Sequence, residues 1–193
     1  RNAMHSSTSK VATIQCMVQS ADAVRAFVEE CRYPINRQGV GYGLHEGRRG
    51  VGSEATATEI WGCSQDEYLD KADPWPLNPK GELLLGLKIE NVRGVSVTEQ
   101  CLKVPGVGFA EMGPGDLSMS LGYKTRPNPL PQEMVEARER VKNACKENGV
   151  AFLSGGTPDT IKERIDEGVR IASGGSEETA KTGRDYSKRR MPV

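Results

Sequence analysis

Two acidic residues, each placed directly after a short apolar run, have the residue type and spacing best suited to chemistry. Glu90 closes the stretch 83–90, which reads LLLGLKIE and is typical of a buried strand in a parallel sheet. Asp116 follows the stretch 107–112 across a Gly-Pro-Gly turn at 113–115, where glycine and proline stop a strand. Oxygen ligands from neighbouring strand ends suit a hard divalent cation, with water and substrate completing its coordination shell. The sequence therefore makes Glu90 and Asp116 candidate metal ligands.

Each acid also has a purely structural interpretation. The residues that follow Asp116, 117–121, can form a helical turn whose free N–H groups would face whatever Asp116 holds. Because aspartate is a favoured helix cap, Asp116 is equally well explained as the cap of that turn. Glu90 and Asp116 can likewise be two unrelated acids at exposed strand ends. The residue types alone leave these alternatives open.

The segments that must position the two acids alternate between strand and helix patterns. Strand patterns occupy about five stretches, at 11–18, 83–90, 107–112, 150–153 and 169–172. Helix patterns lie between them, for example a stretch capped by Ser20 and a long one that ends at Asn148-Gly149. This alternation predicts an α/β fold with a parallel sheet and helices outside it. A closed eight-stranded barrel typically needs about 250 residues, so we expect an incomplete TIM-barrel-like sheet.

The chain divides by composition into one domain and two flanking segments. Residues 1–10 are polar and are expected to be disordered, residues 11–175 to form the β/α domain, and residues 176–193 to form a charged C-terminal helix or tail. Within the domain, residues 35–56 form a glycine-rich loop in which RQGVG is echoed by RRGVG, which suggests an insertion or duplication. His45 lies in this extra stretch, where an ordinary loop histidine is favoured over a catalytic base.

Bulk composition narrows the class of partner and the compartment. The 193 residues carry 26 basic and 26 acidic side chains, so no concentrated basic face for nucleic acid or an anionic membrane is expected. The 5 cysteines are widely spaced without a Cys-x-x-Cys pair, which favours neither a disulfide framework nor a zinc site. A reducing, cytoplasmic compartment fits this usage. Neither a signal peptide nor a membrane-spanning run is predicted from the apolar pattern.

Several motifs around the two acids resemble one known family, the HpcH/HpaI aldolases, which include 4-hydroxy-2-oxoheptanedioate aldolase-like and citrate lyase β-like proteins. The segments that carry the likeness are KIE at 88–90, VPGVGF at 104–109, GPGDLS at 113–118, SLG at 120–122, RYP at 32–34, RGVG at 49–52 and YL at 68–69. The GPGDLS block is the most specific of these, and the likeness extends over most of residues 11–175. The resemblance implies a metal-dependent pyruvate aldolase on a TIM barrel, of which this chain would supply only the C-terminal part, the fourth to eighth strands.

The resemblance also implies a chemistry and assigns residues to it. The expected activity is that of a carbon–carbon lyase that cleaves 4-hydroxy-2-oxo acids to pyruvate and an aldehyde through a metal-bound enolate. Glu90 and Asp116 would bind Mg²⁺ or Mn²⁺, and the backbone N–H groups of Gly115 and Asp116 would receive the pyruvate carboxylate. Lys88 stands where many relatives have a glutamine that touches substrate, so it either binds the anion or points away on the pleat. The family's histidine base and arginine clamp come from its first strands and have no counterpart here, which leaves the catalytic residues unknown.

Three functions therefore remain open. The chain, which starts at Arg1 rather than at a methionine, can be part of an aldolase that acts when further strands complete the barrel. It can instead be a shortened, non-catalytic homologue that binds metal or acts as an interaction subunit, with its free sheet edge covered in a homo-oligomer. Third, the Gly-Gly turns at 155–156 and 174–175 can bind phosphate, as the loops after the last strands do in many barrels.

Overall fold

A computed structural model describes residues 12–188 of the protein, and helices and strands alternate along this part of the chain. The strands are β1 (Ala12–Met17), β2 (Pro74–Trp75), β3 (Leu83–Ile89), β4 (Phe109–Met112), β5 (Ala151–Gly155) and β6 (Val169–Ser173). The helices are α1 (Ala21–Glu30), α2 (Glu54–Trp61), α3 (Gln65–Lys71), α4 (Val92–Ser96), α5 (Thr98–Leu102), α6 (Pro114–Ser120), α7 (Gln132–Glu147), α8 (Ile161–Asp166) and α9 (Glu177–Ser187). The segment 1–10 that was expected to be disordered, the first residue of the predicted strand 11–18 and the C-terminal residues 189–193 lie outside the described residues.

The strands form one parallel sheet whose order along the sheet is β1-β3-β4-β5-β6, with the short β2 paired to the start of β3. The predicted α/β fold with about five parallel strands is therefore confirmed. Within residues 12–188, β1 and β6 each pair with one neighbour only, so the sheet does not close into a barrel. The two-residue strand β2 was not predicted, because a segment with three prolines reads as a break in the chain.

The two faces of the sheet differ in burial. The odd-numbered residues of β3, such as Leu85 and Leu87, are fully buried in one apolar core with residues of α1, α5 and α7. On the other face Leu84 and Lys88 are only partly buried, and the ring of Phe109 covers Gly86, where a Cβ atom would lie 2.1 Å from the ring. The strand was expected to be buried on both faces. Its second face stays half-open because the described sheet does not curl round into a barrel.

Most helix predictions hold, and two helix starts were wrong. The long helix α7 ends where Asn148-Gly149 predicted, and α9 begins at its predicted cap, Ser176. The helix expected directly after Thr157-Pro158 begins later, at Ile161, because Thr157 and Thr160 first close a turn through their hydroxyl groups, 3.0 Å apart. Helix α6 begins at Pro114, before the predicted 117–121 turn, because proline is well suited to the first helical position.

The five cysteines are all free thiols within the described part of the chain. Burial raises the pKa of Cys16, Cys31 and Cys101 to about 11 and that of Cys145 to about 12. These four thiols are therefore protonated at neutral pH and are poor nucleophiles and metal ligands. Within residues 12–188 no helix combines the length and the apolar character that crossing a bilayer requires.

A buried ion pair fixes the glycine-rich loop to the end of the α2–α3 segment. Arg32 Nε lies 2.7 Å from Asp73 Oδ1 and Arg32 Nη2 lies 3.0 Å from Asp73 Oδ2, and neither side chain has any exposed surface. Arg32 Nη1 also donates to the backbone oxygen of Gln38, at 2.6 Å. One guanidinium group thus joins the end of α1, the start of the loop and the residue that precedes β2.

Removing the carboxylate of Asp73 should destabilise the whole domain. In Asp73→Ala the buried Arg32 guanidinium loses its counter-ion, so the free energy of unfolding should fall by about 3–5 kcal/mol. The control is Glu46→Ala in the same loop, where both Glu46 and its partner Arg37 are 60% exposed and the loss should stay below about 1 kcal/mol. Urea unfolding of the two variants measures both values, and equal losses would contradict a special role for the buried pair.

Candidate functional site

The fold brings Glu90 and Asp116 to the same edge of the sheet. Glu90 directly follows β3, Asp116 lies four residues beyond β4, and the two strands are parallel neighbours with Ile89 opposite Met112. The backbone N–H of Gly113 donates to the oxygen of Ile89 at 3.1 Å, which holds the two strand ends together. Both acids therefore lie at the carboxyl end of the sheet, the edge at which ligands bind in parallel α/β folds.

Glu90 is a buried carboxylate packed against a glycine. It is only 4% exposed, and a Cβ atom on Gly113 would lie 2.5 Å from Glu90 Oε2 and 2.8 Å from Glu90 Cβ. Any larger residue at 113 would therefore collide with the Glu90 side chain. Within the described residues Oε2 has no hydrogen-bond partner. A buried carboxylate oxygen without a donor is costly, so this oxygen is suited to a cation.

Asp116 differs from Glu90 because its side chain is exposed and makes no hydrogen bond or ion pair with any described residue. It lies in the first turn of α6, and the cap of that helix is Gly113, so the interpretation of Asp116 as the helix cap was wrong. Two contacts fix the helix that carries it. Leu117 is buried in the apolar core, and Ser120 Oγ accepts the backbone N–H of Val92 at 3.1 Å.

Lys88 points toward the two strand ends rather than away from them. Its Nζ lies 3.2 Å from Glu90 Oε2 and 3.5 Å from Oε1 of Glu111, a residue of β4. The approach to Glu90 Oε2 brings the charges together without a well-directed hydrogen bond. Gln15 of β1 completes the group, because its Nε2 donates to Glu111 Oε1 at 2.8 Å. A polar chain thus crosses three strands on the half-open face of the sheet.

The electrostatic surroundings keep Lys88 charged. Its contact with the Glu90 carboxylate makes the largest contribution and raises the pKa of Lys88 above its ordinary value, partial burial opposes this rise, and Glu111 adds to it. Because the pKa is raised, the ammonium form is fully present at neutral pH and is lost only in more alkaline solution. Lys88 is therefore a cation at this edge of the sheet and not a free amine.

Glu111 and Gln15 were missed by reasoning from the sequence. Glu111 is the one polar side chain of β4, as Lys88 is of β3, and Gln15 lies in the mostly apolar β1, so these polar positions were the available signal. Pairing Glu111 with Lys88 requires the strand register, which places those two residues opposite each other and Gln15 opposite Gly86. That register is not visible in a single sequence, because a shift of one residue would turn each side chain to the other face.

The remaining candidates from the sequence lie elsewhere or have structural roles. His45 receives no role at the site, because its Nδ1 lies 3.1 Å from Glu29 Oε1, at the end of α1. Arg49 lies 4.5 Å from the centre of the Tyr33 ring and donates to the hydroxyl of Tyr68, so its guanidinium group packs the loop against Tyr33 and α3. Among residues 12–188, therefore, no histidine contacts Glu90, Lys88 or Asp116.

The Gly-Gly turn at 174–175 is poorly suited to phosphate. It lines a cavity of about 810 Å³ beside β6, α8 and α9, and α9 begins directly after it. A capping box occupies the N–H groups there, since Ser176 N donates to Thr179 Oγ1 and Thr179 N donates to Ser176 Oγ. Glu177 and Glu178 add negative charge to the first helical turn. Both features disfavour a bound anion.

The oxygen donors at the strand ends fit a hard divalent cation such as Mg²⁺ or Mn²⁺ better than zinc or copper, which favour nitrogen and sulfur ligands. Within the described residues no group of three or more His, Cys, Asp or Glu side chains surrounds a common point. Mg²⁺ is usually bound by one or two carboxylates while it keeps several waters, so it does not need such a group. Glu90, whose buried Oε2 accepts no hydrogen bond from the described residues, and the exposed Asp116 are the residues that would hold it.

The parallel sheet, its helices and the acids at its carboxyl edge define a protein of the (β/α)-barrel class with an open sheet. A sequence profile of the family described as HpcH/HpaI aldolase/citrate lyase matches residues 9–180, which is most of the chain. The chain belongs to this family, as its motifs predicted.

Individual relatives agree with that assignment. The chain is 29% identical to a hydroxypyruvate/pyruvate aldolase of Roseobacter denitrificans over 81% of its own length and 54% of the relative's. It is 28% identical to a 4-hydroxy-2-oxo-heptane-1,7-dioate aldolase of Escherichia coli over 86% and 64% of the two lengths. A family protein of Burkholderia cenocepacia has the same fold, with a TM-score of 0.62, 23% identity and coverage of 91% and 63%. The chain thus spans between about half and two thirds of the length of the relatives it matches.

Two glycines of the same turn should respond differently to an added methyl group. Gly113→Ala would force Glu90 to move and should lower the free energy of unfolding by about 1–3 kcal/mol, as overpacking does. Gly115→Ala is the matched control, because nothing lies within 4 Å of its Cβ position and alanine favours the helix. Urea unfolding compares them, and a Gly113→Ala variant as stable as Gly115→Ala would contradict the packing of Glu90 described above.

Proposed function

We propose that this chain forms the cation-binding and keto-acid-binding part of a lyase that cleaves 4-hydroxy-2-oxo acids to pyruvate and an aldehyde. The observation that carries the proposal is the buried oxygen of Glu90, which accepts no hydrogen bond from the described residues and lies at the same sheet edge as the exposed Asp116. Relatives in the family are named as pyruvate and 4-hydroxy-2-oxo acid aldolases, which supports the reaction class.

Each residue of the site has a defined part in this proposal. Glu90 and Asp116 hold a divalent cation, Mg²⁺ or Mn²⁺. When bound, such a cation stabilises the negative charge that develops on the oxygens of a 2-oxo acid during cleavage. The backbone N–H groups of Gly115 and Asp116, which have no acceptor within the described residues, receive the substrate carboxylate. Lys88 adds a positive charge on the same side.

Open space in front of Gly115 supports this placement of the substrate. No heavy atom lies within 4 Å of the Cβ position of Gly115, so a ligand can approach its backbone closely. The contacts that fix α6, through Leu117 and Ser120, keep the two N–H groups in place before the ligand arrives. Preorganised donors of this kind lower the cost of binding an anion.

Binding of the cation tests the proposal directly. In isothermal titration, Glu90→Gln and Asp116→Ala should each weaken Mg²⁺ binding by at least about tenfold, because losing a direct carboxylate ligand costs more than losing an outer partner. Glu147→Gln, at the far end of α7, is the control for lost negative charge and should bind as the wild type does. Equal binding by the wild type and the two site variants would rule out these acids as ligands.

Catalysis should be absent from these 193 residues alone. A positioned general base contributes about a hundred- to ten-thousand-fold, and His45, the histidine among the described residues, lies against Glu29 and not beside Glu90 or Asp116. We therefore expect cation binding together with little or no pyruvate release from 4-hydroxy-2-oxo acids, measured in a coupled assay. Rapid pyruvate release would contradict this prediction and would show that a group other than His45 acts as the base.

A second candidate is a non-catalytic subunit that works through association. The observation that favours it is the pair of open strand edges, β1 and β6, each paired on one side within residues 12–188. Open edges invite pairing with another chain, so a homo-oligomer in a reducing, cytoplasmic compartment would suit them. Light scattering after gel filtration should then give a mass of at least two chains, and a monomer at all concentrations would remove this candidate.

A further inference from the structure

Lys88 occupies a particular position between two carboxylates. Its Nζ lies 3.2 Å from Glu90 Oε2 and 3.5 Å from Glu111 Oε1, so the ammonium group can bind either acid with little movement. Glu111 is held from the other side, because Gln15 Nε2 donates to the same Oε1 atom at 2.8 Å. The two carboxylates are thus alternative partners for one ammonium group, and one of them is fixed in place.

The electrostatic roles of the two acids differ. Glu90 is buried and its Oε2 has no hydrogen-bond partner among the described residues, so the ammonium of Lys88 is the nearby charge that compensates it. Glu111 is partly exposed and accepts a hydrogen bond from Gln15 in addition to its contact with Lys88. If a bound cation displaced the Lys88 ammonium group from Glu90, the ammonium group would still have Glu111 as its partner. Glu90 would have a positive charge beside it before and after the exchange.

We propose that Lys88 is an internal counter-ion of Glu90 that competes with a divalent cation and shifts onto Glu111 when the cation binds. The proposal rests on the cation site of the proposed function and extends it to two further residues. Glu111 is a positioning residue that acts through Lys88. Gln15 holds the Glu111 carboxylate where it can accept the Lys88 ammonium group. The shift keeps the ammonium within the site, beside the place where an anionic substrate would bind.

Two consequences follow for selectivity. The Lys88 ammonium group already gives Glu90 one positive charge. Exchanging it for sodium or potassium would therefore add little electrostatic energy, whereas a divalent cation brings twice the charge to Glu90. The cation affinity is also lower than two free carboxylates would give, because binding must separate Lys88 from Glu90. The site is therefore set for reversible binding of a divalent cation.

The first test compares Mn²⁺ binding by electron paramagnetic resonance in the wild type and Lys88→Gln. Removing the competing charge a few ångströms from the cation should tighten Mn²⁺ binding by about tenfold or more. Lys142→Gln is the matched control, because Lys142 is also ion-paired, to Glu139 at 2.7 Å, but lies on α7. It should bind Mn²⁺ as the wild type does. A Lys88→Gln variant that binds no more tightly than the wild type overturns the proposal.

The second test separates the positioning role of Glu111 from its negative charge. In the wild-type background, Glu111→Gln removes the alternative partner of Lys88 and should weaken Mn²⁺ binding by about tenfold. In the Lys88→Gln background the same change should have much less effect, because the ammonium group that Glu111 would accept is no longer present. An equal loss in both backgrounds would mean that Glu111 acts by its own charge or by folding, and would overturn its assigned role.

The outcomes distinguish this inference from the proposed function. If neither the wild type nor Lys88→Gln binds Mn²⁺, the cation site itself is wrong and the proposed function fails. If both bind with equal affinity, the site stands and the competition by Lys88 fails. Urea unfolding of each variant shows whether it is folded, and Lys88→Met offers a second neutral residue should Lys88→Gln be unstable.

Discussion

The burial of one carboxylate, Glu90, is the constraint on which the whole candidate site depends. An ionised group taken out of water at a strand end needs positive charge nearby, or its desolvation would destabilise the fold. The fold brings Glu90 against Gly113, where only a glycine leaves room, and offers its Oε2 no hydrogen bond within the described residues. The ammonium of Lys88 therefore becomes the available compensation. The register of β3 with β4 brings Gly113 to Glu90, and the glycine and the lysine together accommodate this acid.

The fold was largely predictable from the sequence, because its signals are local. Apolar runs, helix caps and stop residues gave the parallel strands and most of the helices, including α7 and its end at Asn148. The failures were also local, since α6 and α8 start where proline and threonine turn chemistry decides the helix start. The candidate site was predicted only in part. Glu90 and Asp116 follow from strand ends, whereas the contact of Glu111 with Lys88 and Gln15 depends on register across three strands, which a single sequence does not contain.

The difference between the two faces of the sheet explains how an ordered site can exist on an open sheet. The helix-covered face buries side chains such as Leu85, Leu87 and Ala110 completely, and this core does not require the barrel to close. The segments that follow the carboxyl ends of β3 and β4 are fixed in two ways. Leu117 packs in that core, and the backbone N–H of Val92 donates to Ser120 Oγ. The packing of the covered face thus positions the groups that are proposed to bind the cation and the substrate anion. Acid–base catalysis is a separate requirement, and His45, the histidine among the described residues, lies against Glu29 and not beside these acids.

The polar chain formed by Gln15, Glu111, Lys88 and Glu90 is better explained by ligand binding than by stability. Buried or half-buried ion pairs rarely stabilise a fold more than apolar side chains of similar size would, because each charge must be desolvated. The same face of the sheet already accepts the apolar side chains of Leu84 and Phe109, so the backbone does not require charges there. The charges also sit at the end of the sheet where ligands bind in parallel folds. One buried carboxylate oxygen in this chain accepts no hydrogen bond, and the binding of a cation, as proposed above, would explain why a charged group is placed there.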